Sequence, residues 1–245
     1  MGLFSNLKKD GLEQAKDNLG GGFAARETDI YTGKLTAAYL SVAVSGAQAI
    51  SLVFNDGSEY REDVYITNKK GENFFLNKND NTKKVPLPGF TVIDDICLML
   101  TEKPLSEQET EEKVVKVYDF EAQADVNKSV QMLVDLLDKE ISFGIVKETV
   151  NKQVKGSDGY VDDPAGGTRD QNHIDKVYHT ETKLTVLEAQ RGLEAGVFWD
   201  QWLEKHKGVT RDKTSKKKTG TDGAPPAASA GTTAPKTSLF GKKTG

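Results

Sequence analysis

Cysteine, histidine and long apolar runs are all scarce in this 245-residue chain, and each scarcity removes a class of function. The one cysteine, Cys97, excludes a disulfide framework and a cysteine-built zinc site, and it suits a reducing cytoplasm. Of the three histidines, His173 and His179 fall six apart on an expected strand. That spacing puts them on one face but about 20 Å apart by strand rise, so they read as ordinary polar residues rather than metal ligands. No stretch approaches the roughly 18 uninterrupted apolar residues of a membrane-spanning helix. The opening Met1-Gly2-Leu3-Phe4-Ser5-Asn6 lacks the apolar run of a signal peptide, and Asn6 stands where myristoylation asks for Ser or Thr. The expected location is therefore the cytoplasm. Gly20-Gly21-Gly22 has no apolar strand before it and no Gly-Lys-Ser/Thr after it, so it reads as a helix stop and hinge, not a phosphate cradle. The adjacent pairs Asp94-Asp95 and Asp162-Asp163 would diverge on a helix and point oppositely on a strand, which suits solvated surface better than a metal-held dyad. No catalytic constellation, metal set or cofactor motif emerges, and the expected class is a binding protein, not an enzyme.

What the chain does have is an uneven charge. The formal net charge is −4, but residues 207–245 hold nine Lys/Arg against two Asp/Glu, leaving 24 bases against 35 acids in the rest. An acidic body with a basic tail is not the simple footprint of a nucleic-acid binder, so any such surface on the body must be local. Past Lys216-Lys217-Lys218 no apolar residue larger than alanine or proline appears until Leu239-Phe240, too little to offset the entropy of ordering. Three regions are expected: an N-terminal helical arm and glycine hinge (1–22), a folded body (23–206) and a disordered tail (207–245).

Within the body, periodicity predicts a mainly β (α+β) fold. Strands are expected at Leu35–Ser45, Ala49–Phe54, Tyr60–Thr67 and Asn73–Leu76, with Asn55-Asp56-Gly57 as a hairpin signal and Lys70-Gly71 as a further turn. Pro86-Leu87-Pro88-Gly89-Phe90 interrupts this meander, and Val92–Leu100 has helical spacing. A strand is expected at Lys113–Phe120, a helix at Val126–Asp138 from Val130, Leu133, Val134 and Leu137, and a long strand at Ile141–Val154. Ser157–Arg169 reads as a loop, and His173–His179 with Lys183–Leu187 as a final pair of strands. Leu193–His206 reads as a helix closing an open end of a small barrel or curled sheet.

The chemistry that remains is recognition. Tyr60, Arg61, Tyr65, Lys69, Lys70, Phe74, Phe75, Lys78, Lys83 and Lys84 interleave aromatics with bases, and Lys69–Lys84 holds five lysines against two acids. Such a mixture suits single-stranded nucleic acid, whose bases stack on aromatic faces while cations follow the backbone. The same aromatics would serve equally as core, and of the adjacent Phe74 and Phe75 only one can point inward from a strand. Lys147 and Lys152, with Lys155, form a second local excess on a strand that could line the same groove, or a solvated lysine face.

Three stretches carry a family resemblance. They are Tyr65-Ile66-Thr67-Asn68-Lys69-Lys70-Gly71-Glu72-Asn73 followed by Val85-Pro86-Leu87-Pro88-Gly89-Phe90; Thr168-Arg169-Asp170-Gln171-Asn172-His173-Ile174-Asp175-Lys176-Val177-Tyr178-His179; and Gly208-Val209-Thr210-Arg211-Asp212 followed by Ser238-Leu239-Phe240-Gly241. In this order, over nearly the whole chain, they resemble the single-stranded DNA-binding proteins of tailed bacteriophages and prophages. The resemblance implies an elaborated oligonucleotide-binding (OB-like) barrel with added helices, and roles in phage replication and recombination inside the host cell. It also implies a tail that contacts host RNA polymerase or phage replication proteins, with Ser238, Leu239, Phe240, Lys242 and Lys243 similar to an activating motif. The usual bacterial tail of this functional class is acidic and ends in Phe; this one is basic. A transcription-regulating or protein-interaction factor with secondary DNA binding, and a structural virion protein, remain alternatives, and oligomerisation is left open.

Overall fold

The computed structural model describes residues 24–119, 124–156 and 159–214. All of them fall within one compact unit. The expected N-terminal arm and the Ser238–Lys243 motif lie outside the described residues. Elements follow in the order β1 (Asp29–Val42), β2 (Gln48–Asn55), β3 (Glu59–Tyr65), β4 (Phe74–Asn77), β5 (Asp80–Pro86), α1 (Pro88–Thr101), β6 (Glu111–Asp119) and β7 (Ala124–Met132). After them come β8 (Glu140–Asn151), β9 (Gln153–Gly156), β10 (Gly159–Asp162), β11 (Thr168–Tyr178), α2 (Val186–Gln190), α3 (Phe198–His206) and β12 (Thr210–Asp212).

The long β1 organises the sheet. Its first half pairs antiparallel with β8, from Asp29 opposite Ile145 to Lys34 opposite Glu140. Its second half pairs antiparallel with β2, from Lys34 opposite Asn55 to Val42 opposite Gln48, with a bulge between Leu35 and Ala37. The bulge bends the strand. Beside it only Gly33 fits, because a β-carbon there would lie 2.3 Å from the Asn55 carbonyl oxygen. With β3 beyond β2 and β11 beyond β8, the main path runs β11-β8-β1-β2-β3, and the fold is mainly β with a large, largely antiparallel sheet and few helices. The curled sheet encloses Leu35, Ile50, Leu52, Phe54, Phe143, Ile145 and Ile174, with the Phe54 and Phe143 rings edge to face at 4.9 Å. Helix α1 supplies Ile93, Ile96 and Cys97, one stripe at helical spacing, and packs against both β3 and β11.

Among the described residues no ladder joins β3 to β11, so the sheet does not close into a barrel. Two stitches draw these edges together instead. The carboxylate of Glu62 on β3 accepts the Ile174 backbone N–H of β11 at 2.8 Å and meets His173 Nδ1 at 2.6 Å. Ahead of β1, Arg26 exchanges backbone hydrogen bonds with the Asn172 side chain of β11, while its guanidinium pairs with Asp56 at 2.6 Å in the β2–β3 turn.

Several sequence expectations change. The segment expected as a helix at Val126–Asp138 is β7 followed by a 3₁₀ turn at Val134–Leu136, because Val126, Val130 and Met132 alternate and β6 offers a full ladder. Lys183–Leu187 leads into α2 rather than forming a strand, started by a capping box between Thr185 and Glu188. β5 completes a hairpin that the sequence did not announce, and β10 lies inside the expected loop. The last helix begins at Phe198 and covers the outer face of β8 and β11, with Trp202 against Gly144, Val146 and Tyr178, rather than an open end. Finally, the body does not stop at His206. β12 pairs in parallel with β8, Lys213 Nζ lies 2.7 Å from the buried Glu148 carboxylate, and Arg211 pairs with Asp175, which also accepts the Trp202 indole N–H.

A chain ending at His206 should therefore melt well below one ending at Thr214. Removing the partner of a buried carboxylate costs about 3 kcal/mol or more, and equal melting temperatures would show that β12 adds nothing. The seam should also respond to pH. The Glu62 hydrogen bond raises the His173 pKa above its ordinary 6.5 against the opposing effect of burial. The contribution of a raised imidazole is full below about pH 6.5 and is lost as pH climbs through the higher folded value. His173→Gln should accordingly cost more stability in urea titrations at pH 6 than at pH 8.5; a pH-independent loss would leave only the neutral hydrogen bond.

Candidate nucleic-acid interface

The basic and aromatic residues singled out in the sequence separate into five environments. Tyr60 belongs to the core: it is 6% exposed, it donates its hydroxyl to Glu62 at 2.7 Å, and burial beside that carboxylate pushes its phenol above the usual range. It presents no face to a base. Arg61 lies on the outer surface of β3, paired with Glu59 at 2.7 Å, and faces a groove of about 320 Å³ under the β6–β7 hairpin. Arg61 and Lys128 balance Glu62 and Asp63 there, so the groove carries no excess of positive charge. Lys147 is bound to carboxylates, with Glu27 at 2.8 Å and Asp170 at 3.7 Å, and these hold its ammonium above the ordinary lysine range. It is a structural cation.

The remaining residues, Lys152 apart, come together on and beside the β4–β5 hairpin. This unit is a two-stranded sheet of its own, paired Phe74 to Pro86, Phe75 to Val85 and Leu76 to Lys84. Its base is fixed by local chemistry. Asn68 Oδ1 accepts the backbone N–H groups of Lys70 and Glu72, Gly71 supplies the left-handed residue (φ +79°), and Leu87 N–H closes onto Asn73 O. At the tip, Asp80 binds the backbone and hydroxyl of Thr82 and meets Lys83 at 3.3 Å, contacts that hold its carboxyl below the usual range. Gly89 lets the first turn of α1 press on the end of β3, where a β-carbon would come 2.2 Å from the Tyr65 carbonyl oxygen.

Directly paired strand residues share a face, so Phe75 and Val85 lie on one side of the hairpin and Phe74, Leu76 and Lys84 on the other. The Lys84 ammonium sits 4.3 Å from the Phe74 ring centroid, within cation–π range. Phe75 is 46% exposed and Leu76 49%, and Tyr65 at the end of β3 is 51% exposed. Around these apolar groups stand Lys69, Lys70, Lys78, Lys83 and Lys84, all exposed. The adjacent phenylalanines thus divide as strand geometry requires, with Phe75 open and Phe74 partly covered.

Lys152 is brought to a different place. It lines an open cleft with Gln153, Val154, Tyr160, Asp163 and Arg169 at the β9–β10 hairpin. Tyr160 and Arg169 were not singled out in the sequence; the signal available was an aromatic between short basic strands, obscured by the glycines and aspartates around it. Among the described residues no group of His, Cys, Asp and Glu is arranged to hold a metal ion, and no helix is long and apolar enough to cross a membrane. Comparison with family models, with curated proteins and with solved structures returns no match.

Proposed function

We propose that the protein binds single-stranded DNA through the β4–β5 hairpin and the adjoining end of β3. One observation carries the reading. Phe75, Leu76 and Tyr65 stand half-exposed among five lysines on a hairpin that adds little to the core. Exposed rings in a basic setting are a stacking platform for unpaired bases, whereas a duplex buries its base faces. The strand path β11-β8-β1-β2-β3, bent at β1 and drawn together at its edges with a helix at the gap, supports an elaborated, partly open oligonucleotide-binding barrel. The resemblance to phage single-stranded DNA-binding proteins supports a role in coating and protecting the strand during phage replication and recombination in the host cytoplasm. On the same resemblance, the Ser238–Lys243 motif contacts host RNA polymerase or a replication protein. Neither metal nor cofactor enters this reading, and it is not an enzyme's.

Fluorescence anisotropy with labelled oligo-dT tests it. Affinity should fall with salt at about −0.7 log units per log unit for each neutralised phosphate, with a modest total slope, and unlabelled duplex should compete poorly. Phe75→Ala should lose ~1–3 kcal/mol of binding at an unchanged melting temperature. Tyr60→Ala should do the reverse and cost ~3–5 kcal/mol of stability. Equal affinity for duplex, or Phe75→Ala without effect on binding, would remove the proposal.

A further inference from the structure

Strand directions fix where the two hairpins stand. β3 is antiparallel to β2, and β2 to β1, so β3 runs parallel to β1; β8 runs antiparallel to it. The C-terminal ends of β3 and β8 therefore lie at opposite ends of the strands. The β4–β5 hairpin follows the first and the β9–β10 hairpin follows the second.

The second hairpin repeats the chemistry of the first. Tyr160 is 69% exposed, opposite Lys155 in the β9–β10 ladder, and it shares an open cleft of about 540 Å³ with the exposed Lys152 and Arg169. Among the described residues Arg169 makes only a long contact, 3.4 Å, to Gln171, so its guanidinium keeps donors for a ligand. The carboxylate in the cleft, Asp163, is engaged with the Ala165 backbone N–H at 2.9 Å, where it shapes the turn. An exposed phenol ring sharing a cleft with two cations fits a base and its flanking phosphates.

Resting on the single-strand reading above, we infer that Tyr160, Lys152 and Arg169 form a second DNA contact, and that one strand is held at both ends of the sheet. The span follows from the register. Tyr65 is opposite Ala49, which is opposite Ser41; from Ser41 back to Asp29 is twelve residues, and from Ile145, opposite Asp29, to Asn151 is six more. At about 3.3 Å per residue the two hairpins are separated by up to roughly 60 Å, shortened by the coil of the sheet. A short oligonucleotide reaches one hairpin. A longer one reaches both, and its second contact forms at high effective concentration, so affinity rises in a step rather than gradually.

The test is a length series of oligo-dT from about 4 to about 24 nucleotides, covering the site sizes of single barrels. The full chain should show a steep gain at intermediate length. Tyr160→Ala should abolish that step, weakening long oligonucleotides about tenfold, within the range for one stacked base, and leaving the shortest unchanged. Tyr160→Phe should keep the step, and Lys152→Gln should lower the salt slope on long oligonucleotides only, by about 0.7. Phe75→Ala should weaken every length. If Tyr160→Ala has no effect at any length, or weakens short and long oligonucleotides equally, the second contact is wrong while the first stands. If the wild-type chain binds no oligo-dT at all, the single-strand reading fails and this inference fails with it.

Discussion

The carboxylate of Glu62 holds together two strand edges that the backbone leaves apart. An open sheet exposes a row of unpaired N–H and C=O groups at each end, which invites pairing with another chain. Here β3 and β11 are brought within side-chain reach, and Glu62 takes the Ile174 N–H that a ladder would otherwise satisfy, while Tyr60 and His173 bind the same carboxylate. The Arg26 stitch to Asn172 and Asp56 joins the same two edges nearer the β2–β3 turn. Between them α1 covers the gap with Ile93, Ile96 and Cys97, none of them exposed. Everything enclosed by the sheet, from Leu35 to Ile174, depends on this seam staying drawn together.

The same economy of carboxylates accounts for an acidic body that offers a basic surface. Many of its acids act as internal partners. Asp56 holds Arg26, and although burial opposes it, Arg26 and Ser58 keep its carboxyl below the usual range. Asp175 joins β11 to α3 and β12 through Trp202 and Arg211, Glu148 takes Lys213, and Glu188 caps α2 while accepting the Val197 and Phe198 N–H groups. An acid used in this way adds to the formal charge but projects little field outward. Lys69, Lys70 and Lys78, by contrast, form no ion pair among the described residues and stand exposed beside the hairpin. Net charge is thus a poor guide to local potential where one sign is consumed by the fold.

Much of the framework was legible in the sequence because period-two alternation and turn residues are local signals. Asn55-Asp56-Gly57 marked the β2–β3 hairpin, and Pro86 with Pro88 at the start of α1 marked where the meander ends. What was not legible depended on partners distant in sequence. β7 was read as a helix because Val130, Leu133, Val134 and Leu137 fit a helical face; pairing with β6 and the turn after Met132 decided otherwise. Thr210–Asp212 looked like the start of a polar tail, since nothing in those residues reveals the free edge of β8 or the buried Glu148 waiting for a cation. Among the site residues, Phe74, Phe75 and their lysines were visible as a cluster because one hairpin carries them. Tyr60 and Lys147 had the right chemistry, but the core and two carboxylates had taken them.

That division follows from how stability and recognition compete for the same side chains. An aromatic ring inside the sheet is held by packing and cannot turn to meet a base; one on a two-stranded hairpin is held mainly by its backbone and remains open. β4–β5 and β9–β10 are extensions of this kind, joined to the main sheet by chain continuity and outside its ladder. Each places an exposed ring and lysines beyond the end of a core strand, where substitution costs little folding energy. The antiparallel order then sets them at opposite ends of the strands. The fold therefore provides separation as well as support, and the distance between the two hairpins is a property of the sheet, not of either loop.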